Sequence, residues 1–209
     1  RSATISGVPN SGVTLGEAIK TMKGIAKDAL PQGFSVDYGG ESRQYEQEGN
    51  SFLVTFLFAI IIIFLSLAAL FESFRDPFIV LISVPMSICG AMIFIYLGVG
   101  GATLNIYTQI ALVTLIGLIT KHGILIVQFA NDLQQMGKSK REAIELAAGI
   151  RLRPILMTSA AMVLGVIPLI TATGAGAVSR YSIGLVIASG ISIGTFFTLF
   201  VVPAIYMLL

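Results

Sequence analysis

The sequence holds one cysteine, Cys89, and one histidine, His122, and charged side chains make up only 11% of its 209 residues. A lone cysteine forms no internal disulfide, and Cys89, set within an apolar run, reads as a small buried hydrophobe. A single histidine supplies no Ser/His/Asp constellation. No His/Cys/carboxylate cluster has metal-ligand spacing, and no glycine-rich phosphate loop follows a strand. These gaps argue against soluble-type enzymology, a metal site or a cofactor. The net charge of +2 follows from loop topology and gives no reason to expect nucleic acid as a partner. Acidic residues are missing from the long apolar runs, where every Asp and Glu lies outside or at an edge.

Apolar sequence is what the chain has in excess. The hydrophobic fraction is 55% and the mean hydropathy +0.89, a membrane composition. Five spans are predicted, at residues 52–71, 77–99, 104–131, 154–173 and 181–209. Each meets or exceeds the roughly 20 residues needed to cross about 30 Å of hydrocarbon. Arg75 lies between the first two spans, and Lys138, Lys140, Arg141, Arg151 and Arg153 lie between the third and fourth. The opposite loops hold only Arg180. The positive-inside bias then places the C-terminus in the cytoplasm and the first fifty residues outside. Those fifty residues carry five basic and six acidic side chains, with no signal peptide or earlier span to lead them across. The expectation is the C-terminal part of a longer polypeptide.

The predicted fold class is mainly α: a polytopic membrane protein whose five transmembrane helices follow a small α/β fragment. In that fragment (residues 1–50), 2–8 and 34–38 read as short strands around a helix. Thr14 and Glu17 form a capping box, Leu15, Ile19, Met22, Ile25 and Ala26 recur at helical spacing, and Pro31 ends the helix. The resulting βαβ piece is too small to hold a core alone. Residues 41–51 are a polar run expected to continue the first span outward. A separate cytoplasmic amphipathic helix is expected at 138–150, started by a second capping box at Ser139 and Glu142. Pro85, Pro168 and Pro203 fall inside spans and favour kinks, and Gly190 and Gly194 form a small-xxx-small pair suited to helix contact.

Lys121 is the one charge inside an apolar run. A cation at mid-bilayer costs about 2.5–3.5 kcal/mol on insertion scales, so such residues are usually functional and paired. Either Lys121 sits in a water-filled path or its acid comes from another segment. Thr114, Gly117 and Lys121 fall at i, i+3 and i+7 and share one helix face. His122 lies about 100° around the same helix, where a side chain that titrates near 6.5 relays protons or packs at a different interface. Arg151 and Arg153 have a simple reading as anchors that snorkel to phosphate, and Thr158 as a hydroxyl bonded to a carbonyl one turn back.

The strings IGLITKHGILIVQ (residues 116–128) and RLRPILMTS (151–159) carry a more specific message. With LAALFESF (67–74), VPMSICGAM (84–92), the GAGA turn (174–177) and TLFVVPAIY (198–206), they resemble the C-terminal half of the resistance–nodulation–division efflux pumps. The hydrophobe/amphiphile multidrug branch is the most similar. The resemblance runs over nearly the whole chain. It implies that residues 1–50 end the last periplasmic porter subdomain and that the five spans are helices eight to twelve of twelve. It further implies an inner-membrane proton/drug antiporter that assembles as a homotrimer. Its partners would be the lipid bilayer, a periplasmic adaptor, an outer-membrane channel and hydrophobic or amphiphilic small molecules. Lys121 stands at the position of the relay lysine, and Arg151 and Thr158 at those of the relay arginine and threonine. Thr114 and His122 are accessory polar candidates. The relay aspartates would lie upstream of this sequence. His122 stands where such pumps usually carry Asn, and Gln128 where many carry Glu. Two other readings keep a place: a truncated or split module without transport of its own, and a related transporter of metals, lipids or proteins.

Overall fold

Each long apolar run forms helix, because in hydrocarbon a helix satisfies its backbone groups internally. The computed structural model describes residues 2–8, 10, 13, 15–31, 33–48 and 51–209. In chain order the helices are α1 (Leu15–Ala29), α2 (Gly40–Glu48), α3 (Ser51–Phe71), α4 (Arg75–Leu81), α5 (Ser83–Tyr96), α6 (Ile106–Gln135), α7 (Lys140–Ile170) and α8 (Ala177–Leu208). Among the described residues, five stretches are long and apolar enough to cross a membrane: α3, α4 with α5, α6, α7 and α8.

The second span is interrupted between Leu81 and Ser83. Pro85 is the cause: it has no N–H to offer the carbonyl of Leu81, four residues back, and its ring crowds that carbonyl. Ile82 keeps dihedrals of the right-handed helical region (φ −64°, ψ −20°). Residues 138–150 do not form a separate amphipathic helix. Ser139 caps α7 through a bond from the Glu142 amide, and the helix then runs unbroken through Pro154 and Pro168 to Ile170. At 31 residues it is about 46 Å long, well beyond the hydrocarbon thickness. Counting roughly 20 membrane residues back from Ile170 reaches Arg151, at the edge of the apolar layer.

The α/β fragment is not found. Among the described residues there is no strand: 2–8 are exposed and form no regular element, and 34–38 form no strand either. The two runs have β composition, but a strand needs a neighbour to bond its N–H and C=O groups, and two short strands alone are marginal in water. The helix between them does form, as its periodicity predicts, and ends just before Pro31. Thr14 of the first capping box lies outside the described residues. The polar run 41–51 yields α2 and the start of α3, with residues 49–50 outside the described residues. Lys23 of α1 clasps both carboxylate oxygens of Glu46 of α2, at 2.7 and 2.8 Å.

α8 is the centre of the bundle and packs against α5, α6 and α7. In the apolar stretch of α3 only 6% of residues are buried, against 56% in those of α6 and α8. Lipid tails are as apolar as leucine, so close packing rather than hydrophobic exclusion holds such helices together. The glycines of α8 provide that closeness. A Cβ on Gly194 would meet Ser87 of α5 at 2.7 Å and Ile119 of α6 at 2.8 Å, and one on Gly190 would strike Leu115 of α6. Ser87 donates to the carbonyl of Gly190 at 2.8 Å. The Gly190/Gly194 pair is thus the contact its spacing suggested.

The helix starts are fixed locally. Asn105 and Thr108 form a reciprocal capping box at α6: the Thr108 amide donates to Asn105 Oδ1 (3.0 Å), and the Asn105 amide to Thr108 Oγ1 (2.9 Å). The GAGA turn enters α8 through Gly174 (φ +86°) and Gly176 (φ +73°), in the left-handed region that favours glycine. Tyr181 then donates to the carbonyl of Val99 at 3.2 Å and ties the two turns at this end together.

Candidate functional site

The stripe Thr114, Gly117 and Lys121 is exposed along α6, as are Ile110 one turn before it and Gln128 two turns after. Among the described residues, no other helix covers it. Thr114 turns its hydroxyl back to the Ile110 carbonyl (2.9 Å), which leaves Lys121 as the stripe's charge. Among the described residues, no hydrogen bond or ion pair engages Lys121. An ammonium this deep in an apolar helix is costly unless water or an acid meets it, so the open stripe is where such a partner belongs.

His122, the next residue, points the other way and is fully buried. Its Nε2 lies 3.3 Å from Ser159 Oγ of α7, and its Nδ1 lies 3.4 Å from Thr195 Oγ1 of α8. The two hydroxyl oxygens are 3.0 Å apart, and Ser159 also donates to the Ile155 carbonyl at 2.8 Å. Buried polar groups need such partners, and each of these three side chains has them. In the sequence Ser159 stands out only as a neighbour of Thr158, and Thr195 does not stand out. They lie 37 and 73 residues from His122, and only the packing of three helices brings them to its ring.

Arg151 leaves α7 toward α6, with its guanidinium carbon 4.5 Å from the centre of the Phe129 ring. A cation over an aromatic face is attracted by the ring's quadrupole. Its Nε is buried and has no hydrogen-bond partner. Phe129 stands eight residues beyond Lys121, about 12 Å along α6, so Arg151 meets the helix of Lys121 but not Lys121 itself. Thr158 donates within its own helix, to the carbonyls of Pro154 and Ile155, both at 3.0 Å. No hydrogen bond or ion pair among the described residues joins Lys121, Arg151 and Thr158 to one another.

A second polar group lies where α4, α6 and α8 meet. Asn131 donates to Asp76 Oδ2 (2.7 Å), Tyr206 donates to Asn131 Oδ1 (2.6 Å), and Gln134 donates to the Tyr206 hydroxyl (2.8 Å). Lys140 adds a bond to the Met207 carbonyl at 3.2 Å. These residues sit at span edges, where polar side chains are ordinary, so nothing in their spacing marked them.

The whole chain, residues 1–209, matches the AcrB/AcrD/AcrF family. It is 56% identical over 210 residues to an uncharacterized transporter of Haemophilus influenzae, covering 98% of this chain and 20% of that protein. It is 39% identical over 203 residues to the toluene efflux pump membrane transporter TtgB of Pseudomonas putida, covering 97% of this chain and 19% of that protein. It is 37% identical over 207 residues to the multidrug resistance protein MdtF of Escherichia coli, covering 99% of this chain and 20% of that protein. The chain therefore spans about a fifth of the length of these relatives. With this match over its full length, and five membrane-length helices among the described residues, the chain belongs to the AcrB/AcrD/AcrF family of resistance–nodulation–division transporters.

Proposed function

We propose that the chain is the C-terminal membrane part of a proton-driven efflux antiporter, and that Lys121, Arg151 and Thr158 form the basic and hydroxyl half of its proton relay. The observation that carries this reading is Lys121: an unpartnered ammonium on an open, small-residue stripe of a membrane helix. In the reading, acids from another segment cover that stripe. With those acids ionised, opposite charges in a low dielectric favour the charged forms and hold the ammonium between them. Protonating an acid weakens the pair and frees Lys121 to swing, which gives a two-state element biased by proton load. Each proton moving down the membrane potential releases about 2.3 kcal/mol per 100 mV, the source of work for export. Arg151, with a buried Nε that nothing engages, has donor capacity to spare beside α6. Thr158 retains lone pairs to accept a bond while its hydrogen goes to a carbonyl.

The names of TtgB and MdtF support hydrophobic or amphiphilic substrates. The loop charges support an inner-membrane protein with residues 1–50 in the periplasm and the C-terminus in the cytoplasm. Family membership supports a homotrimer working with a periplasmic adaptor and an outer-membrane channel. The test is Lys121→Ala in the full-length protein. The expected result is loss of efflux with membrane insertion and expression unchanged. Normal export by the well-expressed variant refutes the relay.

A further inference from the structure

We infer that His122 is a positioning residue for Lys121: its ring, held between Ser159 of α7 and Thr195 of α8, sets the rotation of α6 that turns the ammonium onto the open stripe. The inference rests on the relay reading of Lys121. Neighbouring side chains on a helix diverge by about 100°, so fixing the direction of one fixes that of the next. About one helical turn from His122, Ser159 or Thr195 along their own helices stand Ile119, Ile126, Ile155 and Ile191, all buried. Apolar contacts carry no direction and change little when a helix turns slightly. Hydrogen bonds do have direction. Here the three helices share buried side-chain bonds, with one ring nitrogen committed to each neighbour.

Counting hydrogens shows how the device holds. With a neutral ring protonated on Nε2, that N–H goes to Ser159 Oγ. The Ser159 hydrogen goes to the Ile155 carbonyl, as its geometry indicates. The Thr195 hydroxyl then serves either Ser159 Oγ or the bare Nδ1. Three hydrogens cover four contacts, and the two arrangements interchange without moving a heavy atom. Removing the ring leaves no stranded hydroxyl, since Ser159 keeps Ile155 and Thr195 keeps Ser159. His122→Ala therefore frees the rotation of α6 without leaving a buried polar group unpaired.

The experiment uses the full-length protein in proteoliposomes under an imposed proton gradient, with a fluorescent cationic dye as substrate. In His122→Ala the expected change is a fall in kcat of about tenfold with KM unchanged, the scale of one lost buried hydrogen bond. His122→Asn places an amide where Nδ1 stood, and His122→Gln places one where Nε2 stood. Each is expected to restore most of the rate. Should His122→Ala fold poorly, the pair Ser159→Ala with Thr195→Val removes the same bonds and keeps the ring, with the same expected loss of kcat. A wild-type kcat in either case, or a loss that neither amide recovers, overturns the inference. Lys121→Ala run alongside separates the two ideas. Inactive Lys121→Ala beside normal His122→Ala sinks the positioning role alone, and active Lys121→Ala sinks the relay and this inference with it.

Discussion

Gly194→Ala is expected to destabilise the bundle although alanine is the better helix former. The propensity gain is at most about 1 kcal/mol. Against it, the new Cβ falls 2.7 Å from both Cβ and Oγ of Ser87 and 2.8 Å from Ile119 Cδ1. The Ile119 methyl can rotate away, but Ser87 is buried and short, so α5 must move instead. Overpacking of this kind costs about 1–3 kcal/mol. Moving Ser87 also stretches its bond to the Gly190 carbonyl, at a further cost of about 0.5–1.5 kcal/mol. The terms leave a net loss of about 1–3 kcal/mol. Gly149→Ala is the matched control, because it lies inside α7 and a Cβ there meets nothing within 4 Å. It gains propensity at no steric cost. Thermal unfolding of the full-length protein in detergent, followed by size-exclusion chromatography, compares the two. Equal unfolding temperatures for the two variants would refute the close α5–α8 approach.

Two smaller perturbations probe the edges of the bundle. Tyr206→Phe removes the donor to Asn131 and the acceptor for Gln134, and is expected to lower stability by about 1–3 kcal/mol in the same assay; an unchanged unfolding temperature would refute the α4–α6–α8 network. Lys23 is held above its ordinary lysine value, chiefly by its hydrogen bond to Glu46. A raised value means the bond contributes fully below the unfolded lysine value and is lost as pH climbs through the folded one. A nitrogen-detected NMR titration of Lys23 is expected to show the raised midpoint, which Glu46→Gln returns to normal. An ordinary midpoint in the unaltered protein counts against the α1–α2 clasp.

The parts of this fold that sequence reveals are those with local causes. The spans follow from apolar length, the start of α7 from Ser139 and Glu142, and the interruption at Ile82 from Pro85 four residues behind Leu81. The face shared by Thr114, Gly117 and Lys121 follows from helical spacing alone. What failed depended on partners distant in the chain or outside the described residues. Residues 2–8 and 34–38 have strand composition, yet composition does not supply the neighbour that a strand must bond. Residues 138–150 read as a separate helix because the apolar span reads as beginning at Pro154. In fact a helix crosses a proline when its remaining bonds and packing hold it. His122 was visible as an oddity, but nothing in one dimension brings Ser159 and Thr195 to its two nitrogens.

The glycines of α8 have a mechanical consequence. Where a helix presents backbone instead of side chains, its neighbours find few knobs to climb over, so turning or sliding past it meets a low barrier. In the relay reading, Gly190 and Gly194, facing α5 and α6, make α8 a low-relief surface against which the helix that carries Lys121 turns. Thr195, next to Gly194, reaches from that surface to the His122 ring and, with Ser159 of α7, acts as the catch. The proposed proton relay needs both properties: a shaft that turns at little cost, and a catch that decides where it rests.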